Sequence, residues 1–236
     1  MFNRPKRRLT RRLQLNLMLA VLVLFLPTKT ALADPIAIWN FNDSDLIVDH
    51  GAGTMTSNFV PANVGFAAGT TNNVRLGDPA GQALSLQGGS SNANNGRNIT
   101  VLVSTFGFSN IIVSFATQGT GTGFNNNQFQ YSLDGVTFVD FGSPFAPLVA
   151  FGSVPVVFDL ASIPGLNNNP DAAFRIVFSG ATTATGNNRI DNFVVEGSSS
   201  TTIPEPTTIA LLGTGITTLF ARGWKRRARI LKVKQV

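Results

Sequence analysis

Between residues 34 and 198 the chain is divided by Gly, Asn and Ser clusters into runs that are too short for helices and rich in Val, Ile, Phe and Thr. The runs read IAIWNFN (36–42), ALSLQG (83–88), NITVLVST (98–105), NIIVSFATQ (110–118) and NQFQYSL (127–133). They continue with VTFVDF (136–141), VPVVFDL (154–160), AFRIVFSG (173–180) and RIDNFVVEG (189–197). No window carries apolar residues at a helical period of 3.6, and several runs alternate with the period of 2 that places side chains on opposite faces of a strand. Nine strands at this spacing predict an all-β domain, a β-sandwich spanning 34–198.

One hairpin can be specified. Asp134-Gly135 lies between two alternating runs and suits a two-residue type I′ turn, in which both central residues need positive φ. That turn pairs Leu133 with Val136, Ser132 with Thr137 and Tyr131 with Phe138, so that apolar meets apolar across the ladder.

Cysteine is absent, so the fold must be held without disulfides. A body of this size can bury a single core unaided. Sixteen of the nineteen phenylalanines lie in the body, which predicts that they fill the space between two sheets. Trp39 shares a strand face with Ala37 and Phe41, and Tyr131 shares one with Phe129 and Leu133, so both are expected to point inward.

The net charge of +6 is misleading, because fourteen of the eighteen cations sit at the two ends. Only Arg75, Arg97, Arg175 and Arg189 remain in the body, against eleven acids between Asp34 and Glu196, a balance near −7. A domain of that charge repels phosphate, which excludes nucleic acid as a partner despite the basic pI.

The N-terminal cations precede the apolar run LMLAVLVLFL (17–26), Pro27 and ALAD (31–34). A positive region, a short apolar core and an A-x-A site define a secretory signal peptide, here residues 1–33, with Ala31 and Ala33 placing cleavage before Asp34. The apolar core is short for the roughly 20 residues of an uncleaved span.

The other end begins with a Ser/Thr-rich linker that leads into Pro204-Glu205-Pro206, together residues 199–206. Each proline fixes its own φ and disfavours helix in the residue before it, so this motif is stiff and extended. Residues 207–221 are mostly uncharged and make a marginal transmembrane helix. The basic tail of residues 222–236 follows, with Arg222, Lys225, Arg226, Arg227 and Arg229 as the cluster that stays cytoplasmic by the positive-inside rule. Pro204-Glu205-Pro206 is then left on the outer side of the membrane.

Residues 203–229, from Ile203 through Pro204-Glu205-Pro206 to Arg229, strongly resemble the PEP-CTERM sorting signal of bacterial exported proteins. The resemblance implies an exosortase as partner, an integral-membrane cysteine peptidase that cuts at or near Pro-Glu-Pro. It also implies transient anchoring in the inner membrane, then release to the cell surface or extracellular matrix, where exopolysaccharide is the neighbour. A plain C-terminal anchor has the same hydropathy and is the alternative.

The body offers little for catalysis. His50 is the only histidine, there is no thiol and no body lysine, so any Ser-His type of nucleophile would have to pass through His50, which lies in a turn-like segment. Glu196 is the sole glutamate of the body, and most aspartates fall at strand ends where Asp serves turns. No catalytic residue is assigned and no cofactor is required. Asp43, Asp45 and Asp191 are hard-oxygen candidates for Ca²⁺ if the terminal strands pair, and capping of turns is the plainer use for them.

FQYSLDGVTFVDFG (129–142) and FRIVFSGATTATGNNRIDNFVVEG (174–197) loosely resemble the hairpin and closing strands of jelly-roll or galactose-binding-like sandwiches. The chain therefore reads as an exported, exosortase-processed protein of the cell envelope or matrix with a non-catalytic β-sandwich, associated with exopolysaccharide. The first alternative is a carbohydrate-binding module, Ca²⁺-dependent or not, and a polysaccharide-active enzyme comes third. With one Trp and one Tyr in the body, both assigned to the core, no flat aromatic platform is expected, and a glycan site would fall in loops such as GFNNNQ (123–128) or ATGNNRIDN (184–192).

Overall fold

A computed structural model describes residues 33–199. The Ala31 position, Pro204-Glu205-Pro206, the 207–221 segment and the basic cluster lie outside the described residues.

Two sheets face one another. The strands are β1 (Asp34–Trp39), β2 (His50–Gly51), β3 (Thr54–Ser57), β4 (Val64–Ala68), β5 (Gln82–Gln87) and β6 (Arg97–Leu102). They continue as β7 (Phe108–Gly119), β8 (Asn126–Ser132), β9 (Phe138–Asp140), β10 (Val156–Asp159), β11 (Ala173–Ser179) and β12 (Asn187–Ser199). The first sheet has seven strands in the order β10-β7-β12-β1-β2, with β5 also paired to β12 and β4 to β5. The second has five, in the order β3-β6-β11-β8-β9. All pairings between named strands are antiparallel. The architecture is the expected all-β sandwich, and each of the nine predicted runs contains a strand.

The centre of the first sheet is β12. One edge pairs with β7; the other pairs with β5 over Asn187–Ile190 and with β1 over Phe193–Gly197. The register shifts between Asp191 and Val194, and Asn192 takes φ +48°, so the ladder is interrupted where one neighbour hands over to the other.

Alternation sets the core. Phe193 and Val195 of β12, Val113 and Phe115 of β7, and Phe129, Phe174 and Ile176 of the second sheet point between the layers and are at most 1% exposed. Phe129 stacks on Phe158 with ring centroids 3.9 Å apart, and Phe115 stacks on Phe193 at 5.6 Å. Trp39 is fully buried, as expected, and its indole N–H donates to the Leu46 carbonyl at 3.1 Å. Tyr131 is only half-buried and Leu133 is exposed, so that face is less inward than the sequence suggests.

The predicted hairpin register is wrong by one residue. β8 pairs with β9, but Tyr131 lies opposite Val139 and Ser132 opposite Phe138, leaving a loop of residues 133–137. Gly135 has φ +71° while Asp134 is not among the positive-φ residues, so the turn is not type I′. The Asp134 carboxylate explains the difference: Oδ1 accepts from the backbone N–H of Val136 at 2.9 Å and of Thr137 at 2.6 Å. This side-chain turn takes up more chain than a two-residue loop. The slip exchanges the faces of β9 and turns Phe138 away from the core.

Candidate functional site

The outer face of the five-stranded sheet carries an ordered row of polar side chains. Thr56 pairs with Thr100, Thr100 with Arg175, Arg175 with Gln130 and Gln130 with Asp140, one residue from each strand. They face outward because their chain neighbours Met55, Val101, Phe174, Ile176 and Phe129 face the core. The row beside it contains Thr54, Leu102, Ala173, Ser132 and Phe138.

Arg175 is the centre of this face. Its guanidinium carbon lies 3.4 Å from the centroid of the Phe138 ring, and its Nε donates to Thr100 Oγ1 at 3.1 Å. Thr100 in turn donates to Asn98 Oδ1 at 3.0 Å, and Gln130 Nε2 donates to Asp140 Oδ1 at 2.8 Å. Arg175 joins neither ion pair found among the described residues. Partial burial pulls its pKa down from its ordinary value, and a guanidinium stays charged regardless. The result is a half-exposed ring and a stacked cation, flanked by hydroxyl, amide and carboxylate groups set at the strand spacing of about 4.8 Å. Such a strip can pack C–H groups against the Phe138–Arg175 pair and hydrogen-bond hydroxyls at its exposed polar ends. Composition concealed it, because Phe138 was expected in the core and the strand order that aligns the row is not local in sequence.

Several other candidates are engaged within the fold. In the loops expected to bind glycan, Asn127 and Asn188 are at most 1% exposed, and Asn188 clasps Phe124 by accepting from its N–H at 3.1 Å and donating to its carbonyl at 2.8 Å. His50 opens β2, with Nε2 3.4 Å from Asp78 Oδ2. Asp34 starts β1 opposite Gly197. Asp45 accepts from the Ile47 N–H at 2.7 Å, a turn contact, and Asp43 is exposed.

Asp191 is fully buried at the interruption in β12. Its Oδ2 accepts from the Thr70 N–H at 2.6 Å and its Oδ1 from the Asn192 N–H at 2.8 Å. Burial pushes its pKa up to about 7 against the pull of those two bonds. The terminal strands do pair, yet among the described residues no three His, Cys, Asp or Glu side chains gather as a metal site, so Asp43 and Asp45 do not join Asp191 in such a cluster.

The tail supplies the deciding likeness. Residues 202–227 match the PEP-CTERM protein-sorting motif. The motif marks the chain as an exosortase substrate and implies export and sorting to the cell surface. The PEP-CTERM match includes Pro204-Glu205-Pro206 and the cations Arg222, Lys225, Arg226 and Arg227, and stops short of Arg229. No curated protein matches the chain. Among solved structures, the sandwich is similar to the CBM22-1 xylan-binding domain from Paenibacillus barcinonensis Xyn10C, at 10% identity over 71% of this chain and 96% of that one, TM-score 0.43. It is similar to domain 4 of AbnA, a GH43 extracellular arabinanase from Geobacillus stearothermophilus solved with arabinotriose, at 15% identity over 71% and 94%, TM-score 0.44. It is also similar to TmCBM61 solved with beta-1,4-galactotriose, at 10% identity over 66% and 92%, TM-score 0.40.

Proposed function

We propose that this exosortase substrate is a non-catalytic protein of the cell envelope or extracellular matrix that associates with exopolysaccharide through its β-sandwich. The observation that carries the reading is Arg175 stacked on Phe138 in the middle of a polar row crossing all five strands of one sheet. Sorting delivers the domain to the surface, where polysaccharide is the abundant extended ligand, and an open strip suits a chain better than a small molecule. The acidic body disfavours nucleic acid. A catalytic role finds less support: the buried Asp191 is tied to two backbone amides.

The same face favours the narrower reading, in which glycan recognition is the whole function and the domain is a carbohydrate-binding module. Phe138 is the reason, since it puts a partly exposed aromatic side chain, paired with Arg175, on the outer face where the sequence inventory had none. The test is a glycan array, together with binding to matrix polysaccharide, for the mature secreted protein and its Phe138→Ala and Arg175→Ala variants. Wild type should bind, and each variant should bind at least about tenfold more weakly, a loss of about 1.4 kcal/mol. Repeating the measurement with a chelator tests the Ca²⁺-dependent form of the reading. Absence of wild-type binding, or variants that bind as wild type does, would overturn the assignment.

A further inference from the structure

The connection between β4 and β5 forms a strap over the outer side of the seven-stranded sheet. Asn73, 8% exposed, donates from Nδ2 to Ser114 Oγ at 3.1 Å and to the Asn192 carbonyl at 2.8 Å. Arg75 donates from Nε and Nη2 to the Glu196 carboxylate at 3.3 Å. Asn192 Nδ2 returns two bonds, to the carbonyls of Thr70 at 2.9 Å and Asn72 at 2.8 Å. Ser114 and Glu196 alternate with the core residues Val113, Phe115 and Val195, so the strap lies on the side of the sandwich opposite Arg175.

A second segment rises beside the strap, and Asn72 Nδ2 ties the two together by donating to the Gly152 carbonyl at 2.6 Å. Between them is a cleft of about 600 Å³ lined by Thr71, Asn72, Val74, Arg75, Ser153 and Pro155 among others. The cleft is shallow and open to solvent, with a volume in the range of small-ligand sites. The Thr71 and Ser153 hydroxyls make no hydrogen bond to any described residue, and Leu76 and Val154 beside the cleft are 68% and 77% exposed. The cleft thus combines free hydroxyls in its lining with apolar side chains at its margin, and the strap that lines it is hydrogen-bonded to the sheet beneath. Glu196 neutralises Arg75, so the cleft has no uncompensated cation to select an anion.

We propose that this cleft is a second glycan site, which takes a neutral sugar residue at a chain end or branch, so that one molecule joins two polysaccharide chains. The inference rests on the glycan-binding reading of the sandwich. The two sites lie on opposite outer faces of a two-layer body whose sheets pack about 10 Å apart, so a straight glycan on one face cannot reach the other. Simultaneous occupation therefore links separate chains, and avidity for the matrix exceeds the affinity of either site.

Titration calorimetry of the mature secreted protein, with hexasaccharide fragments of the exopolysaccharide of the producing cells as the probe, should give two sites. Thr71→Trp, which fills the cleft from an exposed position, should leave one; Arg175→Ala should leave the other. Wild type should flocculate the intact polysaccharide, and each variant should bind without flocculating it. Ser153→Ala removes a single exposed hydroxyl and, at an unchanged thermal midpoint, should weaken the cleft site severalfold, which separates lost binding from misfolding of Thr71→Trp. A single site, abolished by Arg175→Ala and untouched by Thr71→Trp and Ser153→Ala, overturns the second site and leaves the proposed function standing. No binding by wild type overturns both.

Discussion

The Oδ2 atom of Asp191 accepts a hydrogen bond from the backbone N–H of Thr70 at 2.6 Å, joining the interrupted central strand to the start of the strap. The carboxyl group is buried, and its pKa is raised from 3.8 to about 7, chiefly by loss of solvent. Below pH 3.8 both folded and unfolded chains hold this proton. As pH rises from there toward 7 the unfolded chain ionises first, so the folded state loses relative stability through that window and changes little above it. The full shift corresponds to at most about 4 kcal/mol. Thermal unfolding in the presence of a chelator should therefore give a lower midpoint at pH 8 than at pH 5, and Asp191→Asn should flatten that dependence. A wild-type midpoint that climbs from pH 5 to pH 8 would contradict the assignment. Asp134, whose pKa is depressed by the N–H groups of Thr137 and Val136, gives the opposite slope, confined to more acidic pH.

Gly135 holds φ +71° in open space, and a Cβ added there would meet nothing nearer than the Asp171 carbonyl oxygen at 3.5 Å. Gly135→Val should cost about 1 to 2 kcal/mol through backbone strain alone. The thermal midpoint should fall by several degrees, and an unchanged midpoint would show that the loop relaxes around the new side chain.

Replacing Pro204-Glu205-Pro206 by Ala-Ala-Ala keeps the apolar segment and the cations but removes the stiff recognition element. Such a protein should accumulate in the membrane fraction with its basic tail attached. C-terminal peptide mapping of surface material decides the matter. If mature wild-type protein still contains Trp224, or if the triple variant matures normally, exosortase does not act at this motif.

Signal cleavage should expose Asp34 as the mature N-terminus, read by mass spectrometry of exported protein. Recovery of peptides from residues 1–12 in that material would contradict it. Ala33→Leu should block cleavage and retain the precursor at the membrane.

Long β-rich runs were legible for two reasons: β8 and β11 alternate because one face is buried, while β7 and β12 are buried on both faces in their middles and read as apolar runs bounded by polar residues. The three strands not foreseen lack that signal. β2 has two residues, β3 reads Thr-Met-Thr-Ser with only Met55 buried, and β4 reads Val-Gly-Phe-Ala-Ala with no fully buried residue. The Phe138 face escaped notice because one extra residue in the turn, imposed by Asp134, reverses the outward set of β9. Nor does local sequence reveal that Thr56, Thr100, Arg175, Gln130 and Asp140 align, since they come from five strands of which only β8 and β9 are consecutive in the chain. The strap looks like an ordinary turn-rich loop until the Arg75–Glu196 contact, 121 residues apart in sequence, is seen.

The placement of β12 between β7 and both β1 and β5 carries a consequence for export. A chain crossing a membrane from its N-terminus delivers β1 first and β12 last. Until residues 187–199 emerge, β1, with its apolar Ile36–Trp39, lacks the neighbour on one edge, and β5 and β7 have nothing to join them. Because the seven-stranded sheet closes only through contacts this distant in sequence, its assembly has to wait for the final strand. The seven-stranded layer thus stays open for nearly the whole of the transit, and the last strand of the described residues to arrive, just before the sorting motif, is the one that locks it.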